Sequence, residues 1–313
     1  MKRVLLIGYS QSGQLLEVLG AIAAPMRASG DCEVVLEHLQ PVRPFPFPWP
    51  WLQFLDAFPE SINLEPAPNM PISEAARGEF DLVVLGWQPW FLAPSQPIAA
   101  FLLSDEGRRV LAGRPVVSVV ACRNMWLTAF ATVRGLLERA GARLLGHVAL
   151  IDRGGFKTFL TTPAWLLTGH RQYFASMPPA GIASGEIAAS DRFGRALVAA
   201  LREDKERGSA PLLRGLKAVE VDAKLLAGER IGQRSFRIWG KLVRAFGPAG
   251  SPGRKPILIV YVFFLAGAVL FILPLTIAVR AILRPIVRER TRAQVAAYEQ
   301  PSGSSDELMR ARG

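Results

Sequence analysis

The first fourteen residues constrain the fold more than any other part of this chain. An apolar run at residues 4–8 leads directly into the polar segment 9–14, and helical periodicity begins after it. A buried parallel strand that ends at a helix N-terminus leaves backbone N–H groups unpaired and directed at one point, and these groups favour a phosphate. The segment therefore predicts a phosphate-binding turn in an α/β protein.

The residue types in this turn narrow the kind of phosphate ligand. The turn has neither the Gly-Lys-Ser/Thr of a nucleoside-triphosphate loop nor the Gly-x-Gly-x-x-Gly of a dinucleotide loop. It resembles the FMN-phosphate loop of flavodoxins, Ser/Thr-x-Thr/Ser-Gly-x-Thr, with Leu15 in place of the last hydroxyl residue. An ordinary strand-to-helix turn rich in Ser and Gly is the alternative. We assign binding of the FMN phosphate to Ser10, Gln11, Ser12, Gly13 and Gln14.

Alternating strand-like and helix-like segments continue over the first two hundred residues. Apolar runs bounded by polar or turn residues predict four more strands, at residues 33–39, 81–86, 116–122 and 144–151. Helical periodicity occurs at residues 14–29, 97–111, 127–140 and 191–201, and Asp191 is the predicted N-cap of the last helix. The predicted fold class is α/β: a flavodoxin-like, doubly wound, five-stranded parallel sheet with a C-terminal membrane helix.

Two further loops are expected beside the phosphate turn, because the carboxyl ends of parallel strands meet at one edge of the sheet. The loop after the third strand offers aromatic faces for stacking and an amide for the pyrimidine edge of a flavin. The loop after the fourth strand offers an amide, backbone N–H groups and a guanidinium to the N1–O2 region, where reduced flavin gathers negative charge. Core packing of the tryptophans and a solvated Arg123 are the alternatives. The candidate flavin contacts are Gln88, Pro89, Trp90, Phe91, Arg123, Asn124, Met125 and Trp126.

Four strings are more specific than a general flavodoxin pattern. They are PFPFPWPWLQFLDAFPE (44–60), LGWQPWFLAPSQP (85–97), ACRNMW (121–126) and TTPAWLLTGHR (161–171). Together they resemble the flavodoxin-fold family of dialkylresorcinol condensing enzymes, over roughly residues 1–185. The resemblance implies oxidation of a dialkylcyclohexane-1,3-dione to a resorcinol, with FMN as cofactor. It also implies a ketosynthase and an acyl carrier protein as partners.

Two insertions in the flavodoxin plan, residues 41–67 and 154–190, are rich in aromatic side chains. They are expected to roof the flavin and to form an apolar channel for alkyl chains, although covering a sheet edge or dipping into lipid headgroups would explain them equally well. The expected reaction transfers a ring proton to a base and a hydride to the flavin. His170 and Asp152 are the candidate bases, with a structural role as the alternative for each, and Arg123 is expected to stabilise the negative charge.

The second half of the chain is predicted to attach this domain to a membrane. The predicted parts are a flavodoxin-like domain (1–207), a basic linker with an amphipathic helix (208–255), a transmembrane or re-entrant segment (256–280) and a basic, then disordered tail (281–313). The membrane prediction depends on residues 257–279, an uncharged apolar run long enough to cross a bilayer core of about 30 Å. Basic residues flank the run on both sides and give no clean orientation. We expect the inner membrane, with the catalytic domain on the cytoplasmic side.

Charge and cysteine content limit the remaining possibilities. The net charge of +11 is concentrated around the apolar run, which favours anionic lipid over nucleic acid as a partner. Two cysteines, Cys32 and Cys122, are typical of a reducing compartment and indicate no disulfide or metal framework. Two other functions stay open: a flavin-free scaffold for the ketosynthase and carrier protein, and a membrane-tethered flavodoxin-like electron carrier.

Overall fold

The computed structural model describes residues 1–155, 158–268, 270, 289 and 291–310. Its strands are β1 (Lys2–Gly8), β2 (Cys32–His38), β3 (Leu82–Trp87), β4 (Pro89–Trp90), β5 (Ala93–Pro94), β6 (Pro115–Cys122) and β7 (Arg143–Ile151). Five of them form one parallel sheet in the order β2-β1-β3-β6-β7, and β4 and β5 form a separate antiparallel pair. Counted along the chain, the sheet strands run 2-1-3-4-5, which is the flavodoxin-like order. The predicted five-stranded parallel sheet is confirmed.

Helices connect the strands and extend beyond them. They are α1 (Gln14–Ser29), α2 (Trp51–Asp56), α3 (Phe58–Asn63), α4 (Gln96–Leu103), α5 (Asp105–Leu111), α6 (Leu127–Arg139), α7 (Thr158–Thr168), α8 (Ser184–Ala188), α9 (Asp191–Arg202), α10 (Leu226–Arg244) and α11 (Arg254–Gly267). The first insertion, residues 41–67, contains α2 and α3, and the second, residues 154–190, contains α7 and α8. The core lies on both faces of the sheet, and every residue of β3 is buried.

Two details of the helices differ from the sequence prediction. The segment 97–111 forms α4 and α5 rather than one helix, because Ser104 is extended and its hydroxyl accepts the Gly107 N–H at 2.9 Å, which starts a new helix. The N-cap of α9 is Ser190, not Asp191. Asp191 is the first helical residue and forms an ion pair with Arg195 one turn later.

The predicted C-terminal membrane helix is wrong. Among the residues that the structure describes, no helix combines the length and the apolar character needed to cross a membrane. The apolar run begins inside α11, which comprises 14 residues in the described part of the chain. Leu258 and Tyr261 on this helix are buried against the protein, so part of the apolar character serves internal packing. Residues 269 and 271–279 of the run lie outside the described residues.

The chain after α9 packs onto the sheet domain instead of leaving it. The Ala149 N–H on the edge strand β7 donates to Ala218 O at 2.9 Å, and the His147 N–H donates to Ser302 Oγ at 2.7 Å. These contacts satisfy donors that an edge strand otherwise leaves open. Ser302 is fully buried, so this part of the tail that we predicted to be disordered is ordered.

A second, smaller core joins α10 and α11 to the first insertion. The rings of Phe58 and Tyr261 lie 4.6 Å apart, and Val243 and Leu258 are buried beside them. The region predicted as a linker therefore belongs to the body of the protein. It approaches the carboxyl end of the sheet, where the candidate site lies.

Candidate functional site

The phosphate turn lies between the end of β1 and the start of α1, as the sequence predicts. Gly13 adopts a left-handed conformation, with φ of 85°, and this bend starts the 16-residue helix α1. Ser10 is nearly buried, and its hydroxyl accepts the Leu15 N–H at 3.1 Å, so it caps the helix from within the turn. Leu15 itself is buried and offers no hydroxyl to a ligand.

The turn keeps a set of open backbone donors. Among the described residues, no hydrogen-bond acceptor pairs with the N–H groups of Ser12, Gly13 or Gln14. The neighbouring donors are occupied: the Ser10 N–H donates to His38 Nε2 at 3.3 Å, and the Leu16 N–H donates to Gly13 O at 3.0 Å. Three adjacent unpaired donors at the positive end of a helix dipole form an anion cradle.

The loop after β3 is bonded directly to this turn. With its side-chain amide oriented to satisfy both neighbours, Gln88 accepts the Gln11 N–H at 3.2 Å and Trp90 Nε1 at 3.2 Å. Gln11 in turn donates from its side chain to Pro46 O at 2.7 Å, which ties in the first insertion. The structure thus brings the phosphate turn, the Gln88 loop and the first insertion together.

The aromatic residues of this loop are packed against other rings. The Trp90 ring lies edge to face with Tyr9, Phe45 and Trp49, at centroid distances of 5.9, 4.9 and 5.6 Å. Phe91 packs between Phe58 and Phe236, at 5.8 and 5.7 Å. Pro89 lies in β4 at the start of the same hairpin. The aromatic rings of this loop and of the first insertion therefore pack on one another, and a roof over a flavin stays a prediction.

The loop after β6 is placed differently from the prediction. Trp126 is 1% exposed and packs against Phe130 and His147 at 5.8 and 5.1 Å, so its ring belongs to the core. Asn124 and Met125 are half-buried on the turn into α6. Burial lowers the pKa of the Arg123 guanidinium, and the charge of the Asp152 carboxylate raises it.

Glu229 is a residue of this site that sequence reasoning missed. It lies on α10, is fully buried, and accepts the Thr128 N–H at 2.9 Å with Oε2. The N–H groups of Leu127 and Trp126 lie close enough to this carboxylate to lower its pKa, so Glu229 places a carboxylate next to the loop that was expected to face the flavin. Burial raises the pKa of Glu229 to about 7, against the opposing effect of these hydrogen bonds. The sequence signal that could have identified Glu229 was its position, since it is a carboxylate on the apolar face of the helix that we predicted to be basic.

The two candidate bases have different surroundings. Asp152 is nearly buried at the end of β7, where its two oxygens accept the N–H groups of Gly154 and Gly181 at 2.8 and 3.0 Å. His170 is exposed after α7, with Nδ1 2.9 Å from Thr168 O. Within the described residues, no hydrogen bond joins His170 to the phosphate turn or to Arg123. Asp152 therefore acts electrostatically on Arg123 from a nearly buried position, whereas His170 is exposed and bonded to Thr168.

A second missed feature is a clasp between the phosphate turn and residues 180–182 of the second insertion. The Gln14 side chain bonds both backbone groups of Ile182: Nε2 donates to the carbonyl at 3.0 Å, and Oε1 accepts the N–H at 2.8 Å. Arg171 donates to the same Ile182 carbonyl and to Ala180 O. Gln14 thus fixes the insertion, and Arg171 brings a positive charge close to the turn.

A cavity of about 660 Å³ lies at the opposite end of the sheet. It is lined by Lys2, Asp31, Asp81 and Asp204, and Lys2 forms ion pairs with Asp204 and Glu206 at 2.6 and 2.5 Å. These are the amino ends of the strands. The cavity is therefore separate from the edge where flavodoxin-like folds hold their ligands.

Comparison with known proteins gives matches among solved structures alone. No protein-family model matches the chain, and no curated protein matches it. A flavoprotein from Lactobacillus acidophilus NCFM, solved in complex with FMN, is 17% identical, with 48% of this chain and 93% of that chain covered and a TM-score of 0.39. Oxidised flavodoxin 1 from Bacillus cereus is 15% identical, with 63% of this chain and 97% of that chain covered and a TM-score of 0.32.

A third match is a flavodoxin from Fusobacterium nucleatum bound to flavin mononucleotide. It is 8% identical, with 65% of this chain and 99% of that chain covered and a TM-score of 0.30. All three similarities are low, so the fold assignment depends on the strand order. None of these three structures is described as a dialkylresorcinol enzyme, and that resemblance stays a prediction.

Proposed function

We propose that this chain is an FMN-dependent oxidoreductase that converts a dialkylcyclohexane-1,3-dione to a resorcinol. The observation that supports FMN binding is the set of open N–H groups at Ser12, Gly13 and Gln14, next to the bond between Gln11 and Gln88. Main-chain donors at a helix N-terminus suit a phosphate, and the side chains of Ser10 and Leu15 do not replace them.

Positive charge near the turn suits an anionic ligand. Arg171 shares the Ile182 carbonyl with Gln14, so its guanidinium lies next to the phosphate end of the site. Arg123 lies at the loop after β6, where Asp152 offsets part of its charge. A cation at this position stabilises a deprotonated dione or a reduced flavin.

The proposed reaction removes two hydrogen atoms from the substrate ring. One leaves as a proton to a base, the other leaves as a hydride, and enolisation of the ring ketones completes the resorcinol. Bound FMN supplies the two-electron acceptor. Because a 1,3-dione is already acidic, a weak base is sufficient. We assign this role to Asp152, since it is nearly buried at the end of β7 and acts electrostatically on Arg123, whereas His170 is exposed.

A flavin-free scaffold is the second candidate, and two observations favour it. Glu229 accepts the Thr128 N–H and so places a carboxylate at the start of α6, next to the loop that was expected to face the pyrimidine edge of the flavin. The Trp90 ring is packed among three other rings instead of standing free to stack on a ligand. In this reading the flavodoxin fold would hold a ketosynthase and a carrier protein without catalysing a redox step.

The test is the visible spectrum of the purified full chain after incubation with FMN and removal of unbound flavin. A stoichiometric FMN spectrum, bleached anaerobically by a dialkylcyclohexane-1,3-dione with release of a product lighter by two hydrogen atoms, is the expected result. FMN binding without bleaching by the dione would contradict the proposed reaction. Absence of flavin after reconstitution would overturn the flavin proposal and leave the scaffold.

A further inference from the structure

The outer face of α10 carries two parallel stripes of side chains. Cationic residues recur every three or four positions and form one stripe: Arg230, Arg234, Arg237 and Lys241. Apolar residues form the adjacent stripe, with Ile231 52%, Ile238 70% and Leu242 44% exposed. Residues at this spacing lie on one side of a helix. The solvent face of α10 is therefore both strongly basic and apolar.

The outer face of α11 continues the apolar surface. Ile259, Val260, Phe263 and Phe264 are all exposed, and Phe263 is 73% exposed. The Trp239 ring of α10 lies 5.0 Å from the Phe264 ring, which joins the two exposed faces at their boundary. The opposite faces of both helices are buried against the first insertion. We call the exposed residues of these two helices the hairpin face.

The charges on the hairpin face are not neutralised by the protein. Among the described residues, the four α10 cations form no ion pair with a carboxylate. Two other arginines of the hairpin do form such pairs: Arg244 bonds Glu65, and Arg254 bonds Asp56 and Glu60. The hairpin face thus presents unpaired positive charge next to exposed apolar surface, which is unusual for a surface in contact with water alone.

We propose that the hairpin face binds the surface of an anionic lipid bilayer. The apolar side chains would enter the boundary between headgroups and acyl chains, and the arginines and Lys241 would contact the headgroups. A nucleic acid would use the cations but would leave Ile238 and Phe263 in water. An anionic lipid bilayer accounts for both the cationic stripe and the exposed apolar side chains. The contact is made at the membrane surface and requires no crossing of the bilayer.

The test is sedimentation of the full chain with vesicles of phosphatidylcholine alone and of phosphatidylcholine with 30% phosphatidylglycerol, where about 1 kcal/mol per basic residue is expected on the anionic membrane. The variant Arg230→Gln/Arg234→Gln/Arg237→Gln should lower partitioning onto anionic vesicles on the order of 100-fold. The variant Ile238→Ser/Phe263→Ser should lower it at least about tenfold.

Matched variants elsewhere on the surface serve as controls. Arg27→Gln/Arg109→Gln/Arg139→Gln removes the same charge from exposed positions on other helices. Val42→Ser/Met70→Ser removes apolar side chains that are 50% and 51% exposed. Neither should change partitioning. The proposal is overturned if the hairpin variants bind like their controls, or if a 30-base-pair DNA duplex binds as tightly as the anionic vesicles and Ile238→Ser/Phe263→Ser leaves both affinities unchanged.

Discussion

The hydroxyl of Ser10 shows how the phosphate turn is built. It is directed back into the turn toward the Leu15 N–H, so it organises the main chain around the open donors. The Gln14 side chain is directed sideways to Ile182 and fixes the second insertion. Side chains that the sequence suggested as ligand contacts thus position the backbone N–H groups. The spacing of Ser, Gly and Gln predicted a turn between β1 and α1, but it did not reveal that the side chains of Ser10 and Gln14 bond to the protein itself.

A negative charge at Ser12 should weaken binding of the phosphate group. Ser12→Asp places a carboxylate at the cradle, and its repulsion of a phosphate should lower FMN affinity at least about tenfold. Riboflavin, which lacks the phosphate, should bind the variant and the parent protein equally. Fluorescence titration with both flavins measures the difference.

Ser209→Asp is the matched control, because it adds the same charge at an exposed residue outside the site. Equal loss of FMN and riboflavin affinity in Ser12→Asp would show damage to the fold rather than repulsion of the phosphate. Unchanged FMN affinity in Ser12→Asp would show that the FMN phosphate does not bind at this turn.

The backbone conformation of Phe91 and Leu92 is a local feature that no sequence pattern predicted. Both have positive φ, 51° and 62°, in the tight connection between β4 and β5, where glycine or asparagine is usual. Such a backbone costs energy and needs support from its surroundings. The Leu92 carbonyl accepts Gln233 Nε2 at 3.1 Å and Thr128 Oγ1 at 3.3 Å. The strained hairpin at the site is therefore held in part by α10.

At the scale of elements, the sheet was the most predictable part of the fold. The three central strands carry apolar runs that are buried on both faces, and the predicted boundaries of all five strands fall within one or two residues of the observed ones. Contacts between distant elements were not predictable, because no local period encodes them. Glu229 lies about one hundred positions after Thr128, and only the folded chain shows that it caps α6.

The attachment of α11 to the first insertion depends on a buried arginine. Arg254 is 1% exposed and bonds Asp56 at 3.0 Å and Glu60 at 3.2 Å, in the turn that starts α11. Arg254→Ala leaves two largely buried carboxylates without their partner and should lower the free energy of unfolding by about 3 kcal/mol. Urea unfolding followed by circular dichroism measures the change.

Arg244→Ala is the comparison for this variant, since it removes the ion pair with the exposed carboxylate of Glu65. An exposed pair contributes about 1 kcal/mol or less. If Arg244→Ala and Arg254→Ala lose the same stability, Arg254 does not anchor α11 in the way that its burial indicates.

For the molecule as a whole, the sequence predicted a sheet domain followed by a separate, basic, membrane-attached second half. The structure instead shows one body in which α10 and residues 212–219 pack against the sheet domain. Hydrophobicity alone could not distinguish the two arrangements, because an apolar residue such as Tyr261 serves equally well in a lipid or against Phe58. The predicted division into two parts differs from the structure because the prediction assigned the basic helix α10 to a linker.

Two buried groups give the stability of the whole molecule opposite responses to pH. Burial lowers the pKa of His147 to about 3, and its ring, stacked 3.7 Å from Phe130, has no hydrogen-bond partner at either nitrogen among the described residues. Between that value and its unfolded pKa of about 6.5, only the unfolded chain is protonated there, so stability falls as the pH falls. The raised pKa of Glu229, about 7, acts in reverse: between about 4.5 and 7 the folded chain holds a proton that the unfolded chain has lost, so stability falls as the pH rises.

These two effects overlap between about pH 4.5 and 6.5 and should nearly cancel in the parent protein. Glu229→Gln removes the carboxyl effect and keeps the histidine effect. From pH 5 to pH 6 the free energy of unfolding of this variant should therefore rise by about 1 kcal/mol relative to the parent. His147→Leu removes the histidine effect and keeps the carboxyl effect. The free energy of unfolding of this variant should fall by about 1 kcal/mol relative to the parent over the same interval. Urea unfolding at the two pH values measures both slopes, and the comparison is independent of any constant loss of stability in either variant. Parallel pH profiles for the parent and both variants would mean that neither group is buried with the protonation state that the structure implies.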